Sequence, residues 1–490
     1  MNKDLNIKMI IKVLGGLLLI EAGFLLLPIL VALVYSEFSS IQYYFITIAF
    51  AVVLGVSGLL YGRNAETYLG RREGALIVTL IWILYTLLGT LPFWLSGSIP
   101  RFTDAFFESH SGFTTTGTTI LNNIESMPYN ILFWRSLTHW IGGLGIVVMF
   151  LAILPMLGGS GYQLFSAETT TPTRDKILPK ISQMATAMFS VYIILTVLFS
   201  VSLRFAGMNW FDSINHGLSI ISTGGFSTKQ MSIGYWNSPL IEYVIIFFMF
   251  LSGVNFLLYY LFIKFQFKKI RRNDELKYYS LVLLFATFVI FLSQVRFELP
   301  LSWLNIEQSF RNSLFITTSC ITSAGLSTED YTLWKPFTWI VLLALMISGA
   351  SSYSTSGGIK MARVVLIMRL CYYEFKKMVH PNAIIPVKYE GKTVKDEMMI
   401  HVVAFVLIYL LIILLGSFIL GLSGLGFEES ISGMITCMSD VGLGLGDLGP
   451  SHSFAEIPVF SKWFLAFIML VGRLELYSVL LLFTPEFWKE

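Results

Sequence analysis

A short glycine motif occurs four times in the chain, and this repetition constrains the possible folds more than any other feature. The copies stand in the sequences SGFTTTGTT, SIISTGGFS, SCITSAGLS and TCMSDVGLG, with glycines Gly117, Gly225, Gly325 and Gly442. Successive glycines lie roughly a hundred residues apart, a spacing typical of an internal structural repeat. The chain is therefore expected to contain four similar units.

Alignment of the four copies on this glycine reveals further shared columns. A hydroxyl residue stands three positions before the glycine (Thr114, Ser222, Thr322, Ser439), and another stands six before it (Ser111, Ser219, Ser319, Thr436). An apolar residue stands eleven before it (Phe106, Ile214, Leu314, Ile431), and an aromatic residue fifteen before it (Phe102, Trp210, Phe310, Phe427). The last two columns are about one helical turn apart, so each copy predicts a short helix that ends in a loop of hydroxyls and glycine.

Four such loops around one axis are suited to dehydrating a cation. Glycine allows backbone conformations that other residues avoid, so carbonyl oxygens can line a path in place of hydration water. The short helices would also direct the negative ends of their dipoles toward this path. The alternative is four glycine-rich loops that only connect membrane helices after duplication, and the shared columns argue against it.

Composition indicates a membrane protein with several spans. Of the 490 residues, 55% are hydrophobic and only 13% are charged, and the mean hydropathy is +0.72, values that soluble domains do not reach. A net charge of +3 is too small to imply a nucleic-acid partner. Cys320, Cys371 and Cys437 lack the spacing of a metal site, and their odd number argues against a disulfide framework.

Apolar stretches long enough to span a bilayer occur ten times. They cover 9–34, 43–61, 74–96, 132–157, 184–206, 239–265, 278–297, 335–375, 398–422 and 461–484. Two precede the first motif, and the other eight form four pairs with one glycine loop inside each pair. The sequence predicts an all-α polytopic membrane protein around one pore, with two leading helices in 1–70 and helix–pore-loop–helix repeats at 71–182, 183–276, 277–394 and 395–490.

The distribution of charge predicts the orientation. Most of the 33 Lys and Arg residues lie in segments that link the repeats, including Arg174, Lys176, Lys180, 264–277 and 376–397. The positive-inside rule places these segments and the N-terminus in the cytoplasm, so the glycine loops enter from outside. The first apolar stretch lacks a signal-peptide cleavage site and is expected to remain as a span. The charged linkers are expected to face lipid headgroups, or alternatively a cytoplasmic partner.

One predicted span is interrupted by the polar sequence SGASSYSTSGG at 348–358. Polar, small residues at membrane depth are tolerated where protein encloses them or where they line a water-filled path. The segment follows the third glycine loop by the length of half a helix, so we expect it on the cytoplasmic side of the pore, where it can obstruct conduction. The alternative is a helical kink with no role in gating.

Two charged residues lie inside predicted spans, where a charge normally faces a cavity or a partner of opposite charge. Glu21 is midway along the first span and is expected to have an internal partner. Arg473 lies in the last span, with Glu475 two residues away and so on another side of the helix. Arg473 is expected to repel cations in the path, or alternatively to form a structural ion pair.

Other motifs do not indicate an enzyme. The sequence GLGDLG at 444–449 and the sequence SGGIK at 356–360 resemble nucleotide-binding patterns, but neither lies in a βαβ unit, so no nucleotide is expected on this chain. His110, His139 and His216 lack metal-ligand spacing and are expected to form hydrogen bonds. No set of acid, base, nucleophile or metal converges. A carrier for a larger solute would usually have two similar halves rather than four units.

The motifs together resemble those of a known family. The chain resembles the Trk/Ktr/HKT potassium-transporter superfamily, and most closely its TrkH-type pore-forming subunits. The motifs that carry the resemblance are TTTGTT, STGGFST, TSAGLST, SDVGLGLG, the interruption SGASSYSTSGGIK and the closing GRLELYSVLLLFTPEFW. The resemblance covers nearly the whole chain. It implies potassium uptake by a homodimer in the bacterial inner membrane, with one pore in each subunit and control by a cytoplasmic nucleotide-binding subunit of the TrkA type. Membrane lipid would surround it.

The resemblance also implies which residues bind potassium and which form the gate. The potassium site would comprise the three residues that end at each glycine, namely Thr115, Thr116, Gly117, Thr223, Gly224, Gly225, Ser323, Ala324, Gly325, Asp440, Val441 and Gly442. The gate would comprise the segment at 348–358, with Ser348, Gly349, Gly357 and Gly358, together with Arg473. Some plant relatives that transport sodium carry serine in the first loop, so Gly117 favours potassium.

The fourth loop departs from the other three. It carries Asp440 two positions before the glycine, and Gly444 where the others have a hydroxyl two positions after it. This departure leaves open sodium or non-selective monovalent cation transport. A separate alternative is ion-coupled symport by the same pore.

Overall fold

The computed structural model describes residues 5–66, 69–143, 145, 181–295, 303–382 and 386–489. Within these ranges the chain is predominantly helical, and its only strands form one two-stranded hairpin. The second half of the predicted 132–157 span and the basic residues Arg174, Lys176 and Lys180 lie outside the described residues.

The first three helices form a closely packed unit. The helices α1 (Ile7–Phe24) and α2 (Leu26–Val34) form an apolar stretch of 28 residues, and α3 (Phe38–Tyr61) packs against α1. A Cβ atom at Gly15 would lie 2.6 Å from the carbonyl oxygen of Gly55. Small residues allow helix backbones to approach this closely inside a membrane, where apolar burial alone drives association weakly.

The glycine motifs recur within similar sets of helices. Each motif follows a short helix, and a longer helix stands before it and another helix after it. The first two sets are α4 (Arg71–Leu95), α5 (Phe102–Phe113) and α6 (Tyr129–Gly143), then α7 (Ile181–Phe205), α8 (Trp210–Ile221) and α9 (Pro239–Ser252). The last two sets are α12 (Asp274–Gln294), α13 (Trp303–Ile321) and α14 (Pro336–Ser348), then α16 (Asp396–Leu422), α17 (Phe427–Met438) and α18 (Val459–Arg473). The polar segment at 348–358 separates α14 from α15 (Met361–Val379).

Two spans that the sequence analysis treated as unbroken are bent, and that expectation was wrong. The 239–265 stretch turns by 93° between α9 and α10 (Phe256–Ile263), and the 461–484 stretch turns by 114° after α18. At the first bend the Asn255 side chain caps α10 by accepting the N–H of Leu257 at 2.9 Å. At the second bend Glu475 and Leu476 have positive φ values of 50° and 65°, which are incompatible with a continuing α-helix.

Short elements complete the described chain. They are α11 (Phe267–Arg272), the strands β1 (Lys388–Tyr389) and β2 (Lys392–Thr393), α19 (Tyr477–Leu480) and α20 (Pro485–Trp488). The two strands pair antiparallel, with Lys388 opposite Thr393. Short 3₁₀ turns follow the four glycine loops at Ile124–Ser126, Ser232–Trp236, Tyr331–Leu333 and Gly446–Leu448.

Several helices are suited to a lipid environment. Within the described ranges, six helices are long and apolar enough to cross a membrane, or up to eight if each bent pair is one span. Helix α3 leaves Phe45, Phe50 and Val53 exposed along its outer side. These side chains would be unfavourable in water and favourable against lipid tails.

Candidate functional site: four glycine loops

The four glycine loops, 114–119, 222–227, 322–327 and 439–444, share one backbone geometry. Each short helix ends four residues before the glycine. The residue just before each glycine then donates its N–H to the carbonyl six residues before the glycine: Thr116 to Ser111 (3.0 Å), Gly224 to Ser219 (2.8 Å), Ala324 to Ser319 (2.9 Å) and Val441 to Thr436 (2.9 Å). The same hydrogen bond thus starts every loop.

Two residues in each loop have left-handed backbone angles. The glycines have φ between 62° and 89°, and the residues two before them, Thr115, Thr223, Ser323 and Asp440, have φ between 52° and 57°. Left-handed geometry is costly for residues other than glycine and persists only where surrounding contacts impose it. In each loop, two residues with positive φ therefore flank one residue that does not have a positive φ.

The loops form a closed ring. A Cβ atom added to any of the four glycines would lie within 3.0 Å of a backbone carbonyl oxygen in the next loop. Gly117 faces Gly224, Gly225 faces Ala324, Gly325 faces Val441, and Gly442 faces Thr116. Only glycine fits at these positions, because any side chain would collide with the neighbouring backbone.

A cavity of about 60 Å³ opens on one side of the glycine ring. The four glycines line it together with the residues that follow them, including Thr119, Ser227 and Ser327. The short helices α5, α8, α13 and α17 end at the ring, so the partial negative charge of each helix end lies near it. The arrangement offers oxygen ligands and the partial negative charges of four helix ends, which favour a cation, while the cationic side chains of Arg135 and Lys229 also line the cavity.

The hydroxyl column three positions before the glycine is structural. Thr114, Ser222 and Thr322 each donate to the carbonyl four residues earlier in their own helix, at 2.7 to 2.8 Å. The Ser439 hydroxyl lies 2.8 Å from the Tyr409 hydroxyl. The first three hydroxyls therefore satisfy the last turn of their own short helices, whereas the fourth joins its loop to a neighbouring helix.

Buried ion pairs join the helices that flank the glycine loops, and the sequence analysis missed them. Arg135 on α6 binds Glu108 on α5 at 2.5 Å, and both side chains are almost fully buried. Similar pairs join Arg311 to Glu242 at 2.8 Å and Lys462 to Asp104 at 2.6 Å. A charged residue inside an apolar stretch is itself a signal of an internal partner, and that signal could have identified Arg135.

The three histidines of the site form hydrogen bonds, as the sequence analysis expected. The Nδ1 atom of His110 lies 3.0 Å from the Thr86 hydroxyl, and that of His139 lies 3.0 Å from the Ser219 hydroxyl. His216 lies 3.0 Å from the Ser227 hydroxyl. Within the described part of the chain, no cluster of three His, Cys, Asp or Glu residues could hold a metal ion.

Asp330 connects the turn after the third loop to the segment after the fourth loop. Its carboxylate accepts the Thr332 N–H at 2.9 Å and the Ser451 hydroxyl at 2.7 Å. Burial opposes ionisation of this group, but hydrogen bonds from Thr332 and Ser451 outweigh burial and lower the pKa of Asp330 below its usual value. The connection is therefore charge-assisted at neutral pH.

The polar segment at 348–358 contacts the glycine loops on their other side. Thr355 donates its hydroxyl to the Ile221 carbonyl at 3.0 Å, and the Gly357 N–H binds the Ser323 hydroxyl at 2.6 Å. A Cβ atom at Gly357 would collide with the Ser439 carbonyl. All three contacts involve residues that precede the glycines, whereas the cavity is lined by the glycines and residues after them. The segment and the cavity therefore lie on opposite sides of the ring.

Four of the predicted gate residues shape the segment, and the fifth binds it. The glycines Gly349 and Gly358 have φ of 63° and 74° and pack against each other, and Ser348 ends α14 with its hydroxyl on the Leu345 carbonyl at 2.9 Å. Arg473 donates to the Thr355 carbonyl at 3.0 Å and to the Gly143 carbonyl at 2.8 Å. The structure thus brings Arg473 to the segment that interrupts the third pair of helices.

Comparison with known proteins decides the family. Residues 40–490 match a family described as TrkH, cation transport protein. The chain belongs to the TrkH family. It is 35% identical to the Trk system potassium uptake protein TrkH of Salmonella typhimurium, over 99% of this chain and 100% of the relative. It is 34% identical to the Trk system potassium uptake protein TrkG of Escherichia coli K12, over 99% of each chain. The crystal structure of the potassium transporter TrkH from Vibrio parahaemolyticus superposes with a TM-score of 0.87 at 31% identity, covering 99% of this chain and 100% of that one.

Membership of the TrkH family confirms three of the predictions. The resemblance to TrkH-type subunits is confirmed, and so is the fold class of an α-helical polytopic membrane protein. The family consists of cation transport proteins, so the chain is a transport protein and not an enzyme.

Proposed function

We propose that this TrkH-family chain takes up potassium through the centre of the glycine ring. The observation that carries the proposal is the closed ring, in which each glycine faces a carbonyl of the next loop. A ring of backbone carbonyls can replace the hydration shell of a potassium ion. The names of the relatives, which are Trk system potassium uptake proteins, support the same ion.

The potassium ligands in this proposal are the backbone carbonyls of the three residues that end at each glycine. Thr115, Thr223 and Ser323 begin three of these triplets, and Asp440 begins the fourth. The first residue of each triplet and the glycine have positive φ, whereas the residue between them does not. This alternation along the backbone can direct successive carbonyls to one axis. The repeat boundaries 71–182, 183–276, 277–394 and 395–490 belong to this proposal, because each repeat supplies one triplet.

The gate in this proposal is the polar segment at 348–358 together with Arg473. The segment contacts residues Ile221 and Ser323, which precede the glycines of two different loops. A segment in this position obstructs the path on the side away from the cavity. Arg473 adds a fixed positive charge there, and a cation in a low-dielectric path is repelled by it far more strongly than in water.

The proposal includes an orientation and partners. Helix α11 carries four exposed basic residues, and the positive-inside rule assigns its side of the protein to the cytoplasm. They are Lys268, Lys269, Arg271 and Arg272. This orientation gives a multi-pass protein of the bacterial inner membrane with a cytoplasmic N-terminus and lipid around its apolar helices. The words "Trk system" in the names of the relatives imply further components. We include a homodimer and a cytoplasmic regulatory subunit of the TrkA type, which would bind the nucleotide in place of this chain.

One residue favours a second candidate, weakly selective or sodium transport by the same path. Asp440 places a carboxylate where the other loops have Thr115, Thr223 and Ser323. When ionised, that carboxylate would attract a small cation more strongly than a hydroxyl does. The ratio of potassium to sodium uptake distinguishes the two candidates.

Two experiments test the proposal. Expression in bacteria that lack potassium uptake should restore growth at low potassium, whereas a Gly117→Ser variant should not. Purified protein in lipid vesicles should then take up potassium and rubidium in preference to sodium, and should exclude a non-ionic solute of similar size. Failure of the wild-type protein to move any cation would overturn the proposal, and equal uptake of sodium would favour the second candidate.

A further inference from the structure

The short segment that follows each glycine accepts a hydrogen bond from another part of the chain at the same position. The acceptor is always the backbone carbonyl two residues after the glycine, in Thr119, Ser227, Ser327 and Gly444. The donors are the Phe454 N–H to Thr119 (2.8 Å), an Arg135 guanidinium N–H to Ser227 (2.8 Å), the Ile233 N–H to Ser327 (3.1 Å) and the Tyr331 hydroxyl to Gly444 (2.6 Å). Four chemically different donors thus perform the same task.

These hydrogen bonds form a second closed ring around the first. Each donor follows one glycine loop in the chain and binds the next loop: Arg135 follows the first, Ile233 the second, Tyr331 the third and Phe454 the fourth, which returns to the first. The direction matches that of the glycine contacts, where Gly117 faces the second loop. The repeat that precedes each loop therefore resists movement of the residues that follow the glycine in that loop.

The two side-chain donors are rigidly placed. Arg135 is fixed by its 2.5 Å contact with Glu108, and its guanidinium lies 3.7 Å from the centre of the Phe226 ring. Glu108 also accepts the Ile120 N–H at 2.9 Å, just after the first loop. Tyr331 has no exposed surface. A buried, fixed donor positions its acceptor more firmly than an exposed one, because water cannot replace the bond.

The similar placement of the four bonds argues against incidental packing. The donors come from a helix, from two 3₁₀ turns and from an irregular segment, namely Arg135 on α6, Ile233 and Tyr331 in the turns, and Phe454. Elements this different share no local reason to bind one loop position. The common acceptor indicates that the position itself must be held.

We propose that Arg135 and Tyr331 are positioning residues for ion selectivity. By holding the carbonyls of Ser227 and Gly444, they set the spacing between neighbouring loops, and with it the spacing of the carbonyls nearest the glycines. Cation selectivity depends on the geometry and field of those oxygens. This inference rests on the proposed function, since it concerns the same ring.

The test uses Tyr331→Phe, which removes one hydroxyl and leaves the ring in place. Purified wild-type and variant proteins are placed in lipid vesicles, and potassium and sodium uptake are measured under matched gradients. The potassium-to-sodium ratio should fall by about fivefold, the factor that corresponds to one neutral hydrogen bond. An unchanged ratio would overturn the inference.

A matched control separates positioning from stability. Tyr85 is also fully buried, and its hydroxyl donates to the Leu17 carbonyl at 2.7 Å between α4 and α1. Tyr85→Phe should therefore lower the melting temperature about as much as Tyr331→Phe, while leaving the ion ratio at the wild-type value. Equal changes of the ratio in both variants would also overturn the inference, because the effect would then be general.

A second variant covers misfolding of the first. If Tyr331→Phe aggregates during size-exclusion chromatography, the potassium-to-sodium ratio is measured in Arg135→Lys instead. Lysine keeps a charge opposite Glu108 but lacks the planar fork that reaches Ser227. An unchanged ratio in Arg135→Lys then overturns the inference. A wild-type protein that moves no cation overturns the proposed function itself, whereas a selective wild type with unaltered variants overturns only the positioning role.

Discussion

The guanidinium of Arg473 donates a hydrogen bond of 3.0 Å to the carbonyl oxygen of Thr355, in the middle of the polar segment at 348–358. Its other terminal nitrogen donates to the Gly143 carbonyl at 2.8 Å and to the Gly142 carbonyl. One side chain at the end of α18 thus binds both the segment and the end of α6. The planar fork of arginine can satisfy acceptors in two directions at once. In the gating proposal, Arg473 therefore holds the segment in place by hydrogen bonds and also adds a positive charge.

Replacement of Arg473 by alanine should raise potassium flux. The substitution removes a positive charge from the proposed path and releases the segment from α6, so we expect flux without a regulatory partner to rise by at least about tenfold. Arg473→Lys keeps the charge but cannot reach all the carbonyls, so we expect an intermediate flux. Vesicle uptake and the melting temperature should be measured together. A large drop in melting temperature with no gain in flux would instead identify Arg473 as a structural residue.

Gly357→Ala should loosen the segment from the ring. The added methyl group would collide with the Ser439 carbonyl and lie 3.1 Å from the Asp440 Cβ atom, and such overpacking costs roughly 1–3 kcal/mol where the structure cannot yield. We expect the segment to move away and basal flux to rise severalfold in vesicles. Gly16→Ala is the control, because no atom lies within 4 Å of its added methyl group. Wild-type flux from a well-folded Gly357→Ala protein would contradict the gating role.

Gly117→Ser should abolish flux or remove the preference for potassium. Gly117 has a φ of 83°, and a side chain there would collide with the Gly224 carbonyl, so the ring must open or distort. Gly23→Ser on α1 adds the same side chain where nothing lies within 4 Å, and we expect it to behave as wild type. Uptake of potassium and sodium should be compared in both variants. Retention of wild-type selectivity by Gly117→Ser and also by Gly225→Ser would eliminate the assignment of the potassium site.

The repeated loops could be predicted because their constraint is local. A residue such as Gly117 must be glycine if its backbone is left-handed and packed against another backbone, and a fourfold pattern of such residues is visible in the sequence. The interruption at 348–358 was visible for a similar reason, since polar residues at membrane depth need enclosure. Local rules of this kind do not reveal which loop faces which.

The contacts across repeats could not be predicted, because they join residues far apart in the chain. Nothing near Tyr331 indicates that its hydroxyl binds Gly444, which is 113 residues away. The bend beside Gly253 was missed because a single glycine in an apolar run is compatible with a continuous helix. Its contacts are tertiary: the Gly253 carbonyl accepts the Ser351 N–H at 3.0 Å and the Phe256 N–H donates to the Tyr353 carbonyl at 3.1 Å, so backbone groups at the bend pair with the polar segment.

Asp440→Asn tests the feature that most distinguishes the fourth loop. One oxygen of Asp440 accepts the Thr116 hydroxyl at 2.9 Å, and within the described chain the other is buried without a hydrogen-bond partner. Asparagine keeps an acceptor for Thr116 but cannot ionise, whereas an ionised carboxylate would favour smaller cations because they approach it more closely.

We therefore expect Asp440→Asn to raise the potassium-to-sodium ratio. Its melting temperature should not fall, since an incompletely paired buried carboxylate is itself destabilising. Asp447→Asn is the matched control, because Asp447 is exposed in the 3₁₀ turn after the same loop and loses the same charge at the surface. Vesicle uptake of both ions and thermal melting would be measured for the two variants. An equal shift of the ratio in both would indicate a long-range field effect, and a fall in the Asp440→Asn ratio would show that the carboxylate itself favours potassium.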